Sequence, residues 1–160
     1  MKRLINILTG LAIMAVATIS CSKSDYGLPA KTIDPALVGE WHLIGMKVDG
    51  KYSLQNIDVY LAITQSGSFE LYQKTCNQEV RYDRYTGDCW TENGILSGVY
   101  SDGMSWGSKY EYAKIVNGFT LKSYNLLEEH RYTAVEIPEE VRKNANPVGT
   151  KSGAWGSPIL

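Results

Sequence analysis

Histidine and cysteine are scarce in this chain and long helical periods are missing, and each shortage removes a class of function. The two histidines, His42 and His130, stand far apart and have no cysteine beside them. A zinc-type site needs three or four such ligands at characteristic spacings, so no metal and no cofactor is expected. Neither Gly-x-Ser-x-Gly nor His-Glu-x-x-His occurs. Glu128, Glu129, Glu139 and Glu140 look like solvated charge, not an acid pair facing one cleft. Both histidines look like surface or satisfied strand residues. No catalytic residue is assigned, and the chain is not expected to be an enzyme. Basic residues form no patch, which argues against a nucleic-acid partner. No internal repeat of about 20 to 50 residues is visible.

The single long apolar run lies at the start. Lys2 and Arg3 precede an uncharged stretch from Leu4 to Ile19. It is shorter than the roughly 20 residues of a comfortable membrane span. A positive start, a short apolar centre and small residues at the end make an export signal. On the residues alone, a plain secretory signal is cut near Ala17 or Ser20, leaving Cys21 free or paired. The segment "TISC", Thr18 to Cys21, resembles a bacterial lipoprotein signal, with Thr18 where leucine is usual. That resemblance implies lipid on Cys21 and a cut in front of it. Three acyl chains, at about 0.8 kcal/mol per buried methylene, would anchor the protein firmly. The expected organisation is therefore a lipoprotein signal peptide over residues 1–20 and a lipidated Cys21 with a flexible tether over 21–34. The expected location is the cell envelope, as an outer-membrane lipoprotein, on either the periplasmic or the surface face.

The mature chain of about 140 residues suffices for one domain with its own core. Losing Lys2 and Arg3 takes Lys plus Arg from 16 to 14 against 17 acids, so the formal charge moves from −1 to −3. Eleven tyrosines, four tryptophans and 15 glycines favour strands and tight turns. With Cys21 lipidated, Cys76 and Cys89 remain as an even pair, and export favours a disulfide between them. Such a bridge would stabilise the fold by about 3 kcal/mol; two buried thiols are the alternative.

Short alternating runs broken by Gly, Asn or Asp dominate the rest. "EWHLIGMKV" puts Trp41, Leu43 and Gly45 on one face. "DVYLAIT" turns at Gln65-Ser66-Gly67 into "SFELYQK", with Val59, Leu61, Ile63, Phe69 and Leu71 inward. "EVRYDRYT", "CWT", "ILSGVY", "SKYEYAKIV", "FTLKSYN" and "EHRYTAVEI" follow, with turns at Glu92-Asn93-Gly94, Ser101-Asp102-Gly103 and Asn117-Gly118. "PEEVRKNA" predicts a short helix behind Pro138. In the tail after it, Trp155, Ile159 and Leu160 are apolar enough to dock on the domain. About eight regular strands must hide their edges, and closure into a barrel does so. The fold class is all-β: an eight-stranded up-and-down antiparallel barrel over residues 35–138, with a short helix and C-terminal tail over 139–160.

"LVGEWHL" resembles the Gly-x-Trp opening of lipocalin-like barrels, with Gly39 and Trp41 at the first strand. "YLAITQSGSFELYQ" and "GILSGVYSDGMSWGSKYEY" resemble hairpins of exported lipocalin-like lipoproteins of the Bacteroidota type. The resemblance implies that Trp41 plugs one barrel end, with Gly39 allowing close approach and Arg131 stacking on the ring. The barrel mouth is the default pocket. Its expected aromatic lining is Tyr60, Tyr72, Tyr82, Tyr100, Trp106, Tyr110 and Tyr112, against the plainer reading that these form cross-strand pairs. The functional expectation is a lipid-anchored lipocalin-like binding module for a small apolar or amphipathic ligand. The alternative is an accessory lipoprotein of an outer-membrane assembly that binds a protein partner through its tail.

Overall fold

A computed structural model describes residues 31–48, 50–52, 57–75, 81–124, 128–151 and 157–160. The expected signal peptide, Cys21, most of the tether, Cys76 and Trp155 lie outside the described residues. A 3-10 turn, Pro35–Leu37, leads into β1 (Gly39–Val48), β2 (Lys51–Tyr52), β3 (Ile57–Ile63), β4 (Ser68–Thr75) and β5 (Asp83–Glu92). Then come β6 (Ile95–Tyr100), β7 (Tyr110–Ile115), β8 (Gly118–Ser123), β9 (Glu128–Ala134), α1 (Glu139–Asn144) and β10 (Asn146–Pro147). Eight strands pair antiparallel in the ring β1-β3-β4-β5-β6-β7-β8-β9, and β9 returns to β1. The sheet is a closed eight-stranded up-and-down barrel, as the alternating runs predict.

Alternation decides which side chains fill it. Val59, Leu61 and Ile63 of β3 are buried, and Leu71 and Phe69 of β4 stand opposite Leu61 and Ile63. Two elements differ from the sequence reading. β5 is one strand through Cys89, not two runs separated at Gly87. At Gly87 a Cβ would run into the Val99 carbonyl and lie 2.8 Å from Phe69 and Tyr100 atoms. Glycine there lets β6 approach, so it continues the strand instead of breaking it. The β7–β8 hairpin turns on Val116 and Asn117, with Asn117 at φ 56°, and Gly118 already belongs to β8.

One barrel end is closed by the segment that leads into β1. The Asp34 carboxylate accepts from the Ala36 N–H at 2.8 Å and from the Tyr112 hydroxyl at 2.8 Å, fixing the 3-10 turn. Leu37 is fully buried, and the Trp41 indole N–H donates to its carbonyl at 2.9 Å. Trp41 meets Phe119 edge-on at 4.9 Å, and Phe119 stacks on Tyr132. Gly39, at φ 143°, has the Trp41 ring 3.4 Å from where a Cβ would stand. Arg131 is no partner of that ring. It is exposed on the outer wall, because the inward positions of β9 are His130 and Tyr132.

The expected disulfide is corrected as well. Cys89 is a free, buried thiol. Its N–H donates to the Gly67 carbonyl, beside the β3–β4 turn. Cys76, its expected partner, lies outside the described residues.

Candidate binding site at the open end of the barrel

Opposite the Trp41 plug, at the other end of the barrel, the interior becomes polar and aromatic. Inward alternation carries Gln73 on β4, Asp83 and Tyr85 on β5, Tyr100 on β6, Tyr110 on β7, Ser123 on β8 and His130 on β9 into the upper half, and all are buried. Trp106 reaches the interior from the β6–β7 connection. Its backbone N–H donates to the Gly98 carbonyl at 3.0 Å, and its ring lies against Gly98, where a Cβ would fall 2.6 Å from Cδ2. The indole packs edge-on against Phe69 at 5.2 Å and Tyr110 at 6.1 Å.

The tail closes over these groups. After α1, β10 runs parallel to β5 at Asp83 and Arg84, above the point where β6 ends opposite Gly87. Thr150 then donates twice to the Asp102 carboxylate, each at 2.7 Å. Ser157–Leu160 enters the mouth. Leu160 is 2% exposed, its main-chain oxygen accepts from the Tyr100 hydroxyl at 2.6 Å, and the Ile159 oxygen accepts from Tyr110 at 3.4 Å. A crevice of about 280 Å³ opens beside Leu160, walled by Tyr100, Met104 and Thr150.

Several interior polar atoms have no hydrogen-bond partner among the described residues: the Trp106 Nε1, both ring nitrogens of His130 and the Tyr132 hydroxyl. Burial drives the titration of the imidazole and the phenol away from their charged forms. The His130 imidazole is pulled down to about 4 by burial. It is neutral at pH 7, so the Glu128 carboxylate 3.5 Å from Nε2 is a contact with a neutral ring, not an ion pair. Burial likewise pushes the phenols of Tyr100, Tyr110 and Tyr132 up, and Tyr85 up to about 12. The set offers an indole donor, hydroxyls and a neutral imidazole, which suits an acceptor-bearing group among apolar rings.

The seven aromatic residues expected at the mouth divide. Tyr100, Trp106 and Tyr110 converge there. Tyr112 sits lower and bonds Asp34 at the closed end. Tyr60, Tyr72 and Tyr82 point the other way, because they occupy the outward phase of their runs. They join Ile137 and Val141 in a second small core between α1 and the outer wall. Sequence reasoning missed Gln73, Tyr85, His130 and Tyr132. The signal for the last two was present: His130 and Tyr132 alternate with Glu129, Arg131 and Thr133 along β9. His130 was expected at the surface or satisfied, but it is fully buried and has no hydrogen-bond partner among the described residues.

His42 is satisfied on the outer wall. Its Nε2 lies 2.8 Å from Asp58, which also accepts from the Tyr82 hydroxyl at 2.5 Å, and its ring stacks on Tyr60. Burial alone would raise the Asp58 carboxyl, but the hydrogen bonds from Tyr82 and His42 outweigh it and hold the group below its ordinary value. Another depression of about 390 Å³ lies on this wall by Glu40, Glu70 and Arg142. Arg142 reaches Glu40 at 2.6 Å and Glu70 at 3.2 Å, so the charges there are already matched. Inside the barrel, the polar atoms of Trp106, His130 and Tyr132 have no such partners among the described residues.

No protein-family model matches the chain, and no curated protein matches it. Among solved structures, a lipocalin-like protein from Bacteroides uniformis is similar at a TM-score of 0.50 and 12% identity, over 62% of this chain and 99% of that one. The lipoprotein YedD from Klebsiella pneumoniae gives a TM-score of 0.47 and 14% identity, over 72% of this chain and 86% of that one. The likeness to the first concerns the fold, a lipocalin-like barrel.

Proposed function

On the premise of a divergent lipocalin-like barrel, we propose that the protein is a lipid-anchored binding module of the cell envelope. Its ligand is a small amphipathic molecule taken at the open end. The observation that carries this reading is the group of polar atoms on Trp106, His130 and Tyr132 inside the barrel that have no hydrogen-bond partner among the described residues. A buried polar group without a partner costs about 1–3 kcal/mol, and buried groups are normally paired. A ligand with an acceptor group and an apolar body would pair them while covering the rings of Tyr100 and Tyr110. The anchor rests on the signal ending at Cys21.

A second reading is an accessory envelope protein with no small-molecule ligand. It is favoured by Trp106 and Leu160, both buried in the mouth. Titration of the folded protein with a neutral naphthylamine fluorophore separates the two. Saturable binding at one site per chain is expected for the binding module. Emission that never rises above buffer would favour the accessory protein.

A further inference from the structure

The way the mouth holds Ser157–Leu160 is a form of recognition in its own right. Gln73 is 3% exposed and sits at the inward phase of β4. Its side-chain amide makes two complementary bonds to the tail backbone. Nε2 donates to the Ser157 carbonyl at 3.3 Å, and Oε1 accepts from the Ile159 N–H at 2.9 Å. This resembles one rung of a β-ladder supplied by a side chain, and it spans Pro158, which has no N–H to place. Tyr100 and Tyr110 then bond the main-chain oxygens of Leu160 and Ile159. All four bonds go to main chain. Side-chain selection comes from the interior, which buries Leu160 and packs Ile159 against the core.

We propose that the barrel mouth is a peptide-recognition site for an extended segment with two consecutive aliphatic residues after a proline, occupied in cis by this chain's own Ser157–Leu160. Backbone hydrogen bonds supply affinity and the apolar interior supplies specificity, the division of labour of extended-peptide binding sites. The tether makes the resident segment a strong competitor, because its effective concentration is on the millimolar scale. Anything else that enters the mouth must displace it. This holds whether or not the interior also takes a small ligand, so a failure of the small-ligand reading leaves it standing.

The test uses a fluorescein-labelled peptide of residues 154–160 and anisotropy. Leu160→Asp weakens the resident segment in the whole protein. The labelled peptide should bind that variant at least about tenfold more tightly than the unmodified protein, and adding Gln73→Leu should abolish the gain. A Leu160→Asp protein that melts like the unmodified one yet binds no peptide would overturn the proposal. A second measurement needs no variant. In the unmodified protein the Ile159 amide should exchange its hydrogen at least about a hundredfold more slowly than in the free peptide. Exchange at the free-peptide rate would overturn the proposal even if the variant fails to fold.

Discussion

The Tyr100 hydroxyl and the main-chain oxygen of Leu160, 60 positions apart in sequence, meet at 2.6 Å inside the barrel mouth. The bond ties the last residue of the sequence to the upper end of β6, on a wall also made by Tyr85 and Phe69. Tyr100→Phe keeps the ring contacts and leaves the Leu160 oxygen buried without this donor. The substitution should cost about 1–3 kcal/mol, read as a shift of the urea midpoint. An unchanged midpoint would mean that the tail does not dwell in the mouth.

Trp41 carries the opposite end. Its ring meets Phe119, and its N–H satisfies the Leu37 carbonyl of the closing turn. Trp41→Ala should cost about 3–5 kcal/mol, as for other large-to-small core changes. Arg131→Ala, on the exposed outer wall, should change stability by less than about 0.5 kcal/mol. Thermal melts of the two variants check the contrast. Similar losses in both would restore the stacking of Arg131 on Trp41.

His130 makes stability depend on pH in a defined window. Its folded value, pulled to about 4 by burial, lies below the ordinary 6.5. Between those values the unfolded chain binds the proton and the folded chain does not, so stability falls as pH drops from about 6.5 toward 4. The full difference corresponds to at most about 3 kcal/mol. Asp58, held below its ordinary 3.8, acts lower on the scale. Its contribution is present above 3.8 and is lost as pH falls through its folded value. Urea midpoints between pH 7.5 and 5 should fall in the unmodified protein and stay nearly level in His130→Phe. A flat profile in both would show that His130 is not buried.

Cys89 should behave as an inert thiol. Burial pushes it up to about 12, so little thiolate forms at neutral pH. Iodoacetamide should leave it unmodified in the folded protein and alkylate it fully in urea without reductant. Resistance in urea that disappears on adding reductant would show a disulfide.

The barrel was legible in the sequence because a closed antiparallel sheet imposes period two on every strand. Val59, Leu61, Ile63, Phe69 and Leu71 show it without interruption. The break at Gly87 was misleading, since glycine serves there for close approach between strands, which leaves no trace in hydropathy. The mouth was half legible. Tyr100 and Tyr110 stood out as aromatics, but Tyr60, Tyr72 and Tyr82 share that chemistry and point outward. Only the phase of each run separates the two sets, and α1 buries the outward one as well, so burial alone does not mark the interior. The docking of Ile159 and Leu160 was foreseeable from their apolarity. Their partners Gln73, Tyr100 and Tyr110 come from three different strands, and no local pattern announces such a meeting.

The most direct measurement is native mass spectrometry of the protein extracted gently from the membranes of its own host. A binding module predicts a reproducible non-covalent mass that leaves on denaturation and identifies the ligand. A chain with no added non-covalent mass, found repeatedly under conditions that keep the barrel folded, would contradict the account.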